Sequence, residues 1–311
     1  MDVLSEVLAE LRLESTLYAR FEVSAPWAVA YPAGEMAAFH VVTEGRCLLE
    51  LEGESAAVVL EKGDFVVLPH GTAHTLRSAG RHAAVPVESL AEGAPGTMAA
   101  VAHGGGGEET RYLCGAFRFA QAHANPVLSA LPPLIHVRNE LGCTLPWLEM
   151  HLAAVTCEAS SGRAGAALVI ARLSDILFVQ AVRAHLAVLP DGAPGWLGAL
   201  RDPQVGRALW LIHRHPERPW TVGSLAAAVY MSRSSFAERF TRRVGHPPLA
   251  YLARWRMHRA GHLLRGGSTR VATVAEQLGY ASEAAFSTAF KRWSGVSPGA
   301  YRKGVRVAVV A

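Results

Sequence analysis

The sequence predicts a multidomain α+β protein. An antiparallel β-barrel with attached helices forms the amino-terminal part, and an all-α carboxy-terminal part holds two helix-turn-helix units in tandem. Three observations lead there. Short apolar runs broken by glycine recur between Tyr18 and Phe119, at the spacing of strands in a sandwich or barrel. Charge divides sharply: residues 201–311 carry 18 Lys+Arg against 5 Asp+Glu, a net of +13, whereas residues 1–200 carry 12 against 21, a net of −9. Finally, Phe236, Phe240, Gly245, Pro248 and Tyr251 recur fifty residues later as Phe286, Phe290, Gly295, Pro298 and Tyr301, the mark of an internal repeat.

The runs FHVVTEG, RCLLELEGE, AAVVLEKGDFVVLPHG and RYLCGAFRFA read as barrel strands. AHGGGGEET reads as a loop, since four glycines hold neither strand nor helix. Residues 1–150 are assigned to the barrel, and 151–189 to a helical coupling or dimerisation region. In that region RAGAALVIARLSDILFVQAVRAHLAVL has an apolar surface broader than one stripe. Such a helix packs on two sides, or across a dimer seam, or inside a core. PDGAPG opens a linker assigned to 190–201, and 202–311 form the basic module.

Half of the 311 residues are hydrophobic, enough for each part to bury its own core, so a disordered chain is excluded. No apolar stretch has the length of a membrane span, and the start, MDVLSEVLAELRLES, is acidic rather than a basic leader. A soluble cytoplasmic protein with no membrane partner is expected. Cys47, Cys114, Cys143 and Cys157 stand in no C-x-x-C or metal-ligand spacing, so no disulfide framework is expected. Positive charge concentrated on one folded module is the footprint of a polyanion, here double-stranded DNA.

Each repeat reads as a short helix, a turn and a second helix. Thr221 caps the first helix of copy one, with Leu225, Ala226 and Val229 facing inward, and Ser232 caps the second. In copy two Thr269 is the expected cap of the first helix, Gly279 allows the turn and Ser282 caps the second. Phe236/Phe240 and Phe286/Phe290 are at i, i+4 spacing and pack inward. The opposite faces then present Arg233, Ser234, Ala237, Glu238 and Arg242 in copy one, and Glu283, Ala284, Ser287, Thr288 and Lys291, followed by Arg292, in copy two. Short side chains permit close approach to a major groove, hydroxyls and carboxylates read base edges, and Arg and Lys hold phosphates. PLAYLARWRMHRAGHLLR reads as a connecting helix, which would set the recognition helices into successive major grooves about 34 Å apart. Ser297 and Pro298 start a closing helix holding Tyr301 and Arg302.

WTVGSLAAAVYMSRSSFAERF, YLARWRMHRAGHLL and VAEQLGYASEAAFSTAFKRWSGVSPGAYR resemble the AraC/XylS family of bacterial transcription regulators over roughly 202–303. The resemblance implies a transcription regulator that binds promoter DNA through both units and recruits RNA polymerase. It places base-reading positions on Ser234, Ala237 and Glu238, and on Glu283, Ala284, Ser287 and Thr288.

GDFVVLPHGTAH, of the form G-x5-P-x-G-x2-H, is similar to the second motif of cupin barrels, whose metal ligand falls on His74. Only His40 precedes VVTEG, and Ala38 stands at the glutamate of the first motif, so the resemblance implies no enzyme. With LCGAFRF, ANPVLSALPPL, RLSDILFVQAVRAHL and WLGALRDPQVGRAL, this half resembles the cupin-type sensor fused to a subgroup of those regulators. What that implies is a homodimer responding to a small-molecule, metal or redox effector. His40, His70, His74 and Cys114 are the effector-pocket candidates. The three histidines could bind Zn²⁺ or another divalent metal, or be hydrogen-bonded pocket residues. Cys114 is an oxidant sensor or inert core.

Overall fold

The computed structural model describes residues 2–9, 13–90, 99–119, 126–138, 146–161, 163–265 and 269–303; Cys143 lies outside them. The strands are β1 (Leu13–Ser24), β2 (Ala28–Tyr31), β3 (Ala37–Glu44), β4 (Arg46–Leu51), β5 (Val58–Glu61), β6 (Phe65–Leu68), β7 (His74–Arg77), β8 (Val85–Pro86), β9 (Ala99–Gly104), β10 (Glu109–Phe119) and β11 (Ile135–Val137). The helices are α1 (Val3–Ala9), α2 (Pro126–Ala130), α3 (Pro146–Ser161), α4 (Ala166–Val188), α5 (Gly195–Leu200), α6 (Pro203–Arg214), α7 (Val222–Ala228), α8 (Arg233–Val244), α9 (Pro248–Arg265), α10 (Val271–Gln277), α11 (Glu283–Ser294) and α12 (Pro298–Arg302). No helix of the described residues is long and apolar enough to cross a membrane.

Two compact units emerge: Arg12–Ala120 with Leu131–Val188, and Leu189–Ala311 with Met1–Leu11 and Gln121–Ala130. This differs from the expected division. The stretch 190–201 is no linker, because α5 buries Trp196, Leu197, Gly198 and Ala199 in the second unit. A Cβ on Gly198 would stand 2.1 Å from the Ala193 carbonyl oxygen, so this close approach requires glycine. The first residues do not belong with the barrel either, since α1 packs on α6, and α2 packs on α5 and α1.

In the barrel unit a six-stranded sheet, β11-β6-β3-β10-β1-β9, faces a five-stranded one, β5-β4-β7-β2-β8. Period-two alternation sorts the side chains. Ala19, Phe21 and Val23 of β1, Val42 of β3, and Tyr112 and Cys114 of β10 join Trp27, Val29, Leu49 and Leu76 in one core. The alternate residues of the six-stranded sheet face α4, where Phe117 and Phe119 lie 5.2 and 5.0 Å from the Phe178 ring. The glycine-rich run is shorter as a loop than expected, because β9 reaches Gly104 and β10 begins at Glu109. A Cβ on Gly104 would meet the Ser24 carbonyl oxygen at 1.9 Å, so these glycines let the turn close against the end of β1.

In the second unit Thr221 and Ser224 form a reciprocal capping box on α7, while Ser232, Ser282 and Ser297 cap α8, α11 and α12. The expected cap at Thr269 is absent. Arg270 occupies the N-cap of α10 without a side-chain bond, and the Thr269 carbonyl instead accepts from Arg302 Nη2 at 2.5 Å. Both α8 and α11 stop at a left-handed glycine, Gly245 and Gly295. The fifty-residue register holds for α8 and α11, but α7 and α10 are displaced by 49, so the turn of copy two is one residue longer.

Candidate functional site

Helices α8 and α11 repeat their burial almost residue for residue. Phe236, Phe240 and Val244 are buried in α8, as are Phe286, Phe290 and Ser294 in α11. That leaves Arg233, Ser234, Glu238 and Arg242 exposed and Ala237 partly buried on α8. On α11, Glu283, Ala284, Thr288, Lys291 and Arg292 are exposed, with Ser287 partly buried. Glu238 and Arg242 approach to 3.6 Å with both side chains largely in solvent; such an exposed pair is weak. The Thr288 hydroxyl donates to the Ala284 carbonyl at 3.0 Å, so outward it offers acceptor lone pairs and a methyl group.

Sequence spacing alone did not separate the arginines of α8. Asp202, only 3 % exposed at its side chain, caps α6 by accepting from Gln204 and Val205 N–H. It also pairs with Arg239 at 2.9 Å and with Arg243 at 3.6 Å. Arg243 further donates to the Gly192 carbonyl. These two guanidinium groups therefore brace the unit, and Arg233 and Arg242 are the ones left on the outer face. The Asp-Pro pair that opens α6 is the sequence signal for the cap; nothing in it announces the ion pairs.

Behind α8 lies a buried polar chain. Trp196 Nε1 donates to the Tyr251 hydroxyl at 2.6 Å, which donates in turn to His213 Nε2 at 2.7 Å. Burial first, then Arg259 and His258, drives the His213 pKa down to about 3, so the imidazole stays neutral and can accept. Burial first, then His262, Arg259 and Arg265, drives His258 to about 4. Unfolding restores ordinary values near 6.5, so the unfolded chain binds more protons between that pH and these lowered values. Stability is full above about pH 6.5 and falls as pH drops toward 4. A thermal melt series from pH 7.5 to 4.5 should show this decline, and His213→Gln, which keeps the acceptor, should flatten it; an unchanged slope would refute the assignment.

In the barrel, two cross-strand pairs face one another. His40 lies opposite Cys114 on β3 and β10, and Tyr31 lies opposite His74 on β2 and β7. His40 and His74 meet Nε2 to Nε2 at 2.7 Å, bridging the two sheets. His74 Nδ1–H donates to the Thr72 carbonyl at 2.8 Å, which leaves its Nε2 as acceptor for the His40 proton. Tyr31 stacks on His74 at 4.8 Å, and its hydroxyl lies 3.1 Å from that of Tyr112. Burial holds both imidazoles below their ordinary pKa and both phenols above theirs.

The three-histidine metal set does not form. His70 is exposed, with its Nε2 2.9 Å from the Leu131 carbonyl oxygen, and no group of three His, Cys, Asp or Glu among the described residues is placed to hold a metal ion. The register explains it: His70 sits in the turn between β6 and β7, not on an inward strand position. The donor set therefore does not fit a mononuclear centre. Of the two readings left open for Cys114, burial favours inert core, because it pushes this thiol, like that of Cys47, up to about 12. Held as protonated thiols at neutral pH, both should resist iodoacetamide while exposed Cys157 reacts first. Peptide mapping after brief alkylation checks this; early labelling of Cys114 would restore it as a sensor.

A groove of about 860 Å³ opens over the five-stranded sheet, reaching Tyr31 and His74 and rimmed by Glu50, Glu52, Glu88 and Arg81.

Comparison with known proteins matches both halves. The cupin family profile covers residues 2–187 and a helix-turn-helix domain profile covers 225–304. An AraC-like transcription regulator of Streptomyces lividans is 37% identical over 97% of this chain and 98% of its own length. The HTH-type transcriptional regulator AlkR of Acinetobacter baylyi is 33% identical over 97% of this chain and 99% of its own. Among solved structures, the DNA-binding domain of AdpA in complex with a target DNA is 36% identical, covering 33% of this chain and 93% of that one, with a TM-score of 0.31.

Proposed function

This chain belongs to the AraC family of transcription regulators with an N-terminal cupin domain, and we propose that it is a signal-responsive regulator of transcription. In this reading α8 and α11 read promoter DNA while the barrel senses an effector. The observation that carries it is the duplicated outer face, the same burial pattern twice, on a module of net charge +13. Arg233, Ser234, Ala237, Glu238 and Arg242 act in one groove, and Glu283, Ala284, Ser287, Thr288, Lys291 and Arg292 in the next. RNA polymerase is the protein partner on the promoter.

The barrel acts as a regulatory module rather than an enzyme, with its effector seated in the groove over Tyr31 and His74. A ligand there would disturb the His40–His74 bridge between the sheets. Coupling has a covalent route. Leu13 pairs with Phe119, so the start of β1 and the end of β10 lie side by side. The chain segments that leave them run to α1 and α2, both part of the DNA-binding unit. Leu168, Val169 and Ile176 remain exposed on α4 and supply an apolar surface for a second copy. The test is binding of the full chain to DNA flanking its own gene at several salt concentrations. Specific retention that weakens with salt supports the reading, and binding indifferent to sequence rejects it.

A further inference from the structure

We infer that Tyr230 is a DNA-backbone anchor of the first helix-turn-helix, its phenol hydroxyl donating to a phosphate beside the groove that α8 enters. This rests on DNA binding by α8. The turn from α7 to α8 places Tyr230 at φ +58, and among the described residues it is the one non-glycine with positive φ. A bulky side chain rarely adopts that conformation, which glycine, asparagine or aspartate takes readily.

Copy two ends its first helix in the same way, before a turn one residue longer. Tyr230 N–H and Met231 N–H donate to Ala227 and Ala226 carbonyls, and Gly279 N–H and Tyr280 N–H donate to those of Glu276 and Ala275. There glycine is compulsory, because a Cβ on Gly279 would stand 2.2 Å from the Glu217 carbonyl oxygen. In copy one the same position carries a tyrosine that is 92 % exposed. Its ring buries almost nothing in the free protein to offset the unfavourable backbone, so the compensating contact belongs to the bound state.

The surroundings suit a phosphate. Exposed Arg233 opens α8 three residues later, and exposed Arg207 donates its Nε–H to the Ala228 carbonyl at the end of α7. Tyrosine hydroxyls commonly donate to phosphate oxygens, fixing register on the duplex without reading sequence. Since the phenol is neutral, it releases no counterion, and the salt dependence should not change with it.

The experiment uses the full chain, a duplex that the wild-type chain selects from random DNA, and a scrambled duplex of the same length. Selection by wild type is read first; if none occurs, DNA reading by α8 falls, and this inference with it. With selection intact, Y230F and Y230G should each weaken binding about five- to tenfold on both duplexes. The slope of log K against log salt should stay the same, and Y230G should melt no lower than wild type. Binding by Y230F within about twofold of wild type would overturn the hydroxyl contact. A loss confined to the selected duplex, or a clearly lowered Y230G melting temperature, would overturn the backbone assignment.

Discussion

Asp202→Ala destabilises the DNA-binding unit by about 3 kcal/mol, lowering its melting temperature by on the order of 10 °C. Two losses combine. The side chain caps α6 through the amides of Gln204 and Val205, and an N-cap removed in favour of alanine costs about 1 kcal/mol. The same carboxylate also holds Arg239 and Arg243, and losing a buried partner of such a pair costs several kcal/mol when the other charge cannot reach water. Here Arg239 and Arg243 are 33 and 25 % exposed, so they are partly rehydrated and the lower figure applies. Asp202→Asn keeps the cap and should recover about 1 kcal/mol. Thermal melts of the two variants distinguish the contributions, and an alanine variant as stable as wild type would show that Asp202 braces nothing.

Joint replacement of Ser287 and Thr288 by alanine relaxes sequence preference about tenfold, corresponding to the 1–3 kcal/mol of discrimination that a good base contact supplies. These residues stand on the outer face of α11, Thr288 exposed and Ser287 partly buried. Neither carries charge, so affinity for a scrambled duplex and its salt slope should hardly move. Competition between a selected and a scrambled duplex measures the ratio. An equal loss on both would place the two hydroxyls on the DNA backbone. Glu283 and Arg292 at the ends of the same face provide the contrast, since removing a charge must change the salt dependence.

The parts legible in the sequence are those whose cause is local. Helical periodicity puts Phe236/Phe240 and Phe286/Phe290 inward, serines stop the preceding extended backbone and cap α8 and α11, and Gly245 and Gly295 end them in the left-handed conformation. Strand alternation likewise separates His40 from Phe39 on β3. Tertiary packing overrides a local signal elsewhere. The Pro/Gly-rich run at 190–195 suggested a linker, yet the helix after it is buried through the Trp196–Tyr251 hydrogen bond, fifty-five residues apart in sequence.

A two-part architecture, the duplicated faces of α8 and α11 and the family resemblance can all be read along the chain, because each depends on local patterns of residues. Packing between elements settles which arginines of α8 turn inward and which histidines meet. Arg239 turns back to Asp202, thirty-seven residues away. His40 reaches His74 rather than His70 because pairing of β2 with β7 and of β3 with β10 and β6 brings strand positions distant in the chain into one core. The physical reason is the same in both cases: helix and strand periods fix the face on which a side chain emerges, while its partner is set by packing between elements, which no local spacing encodes.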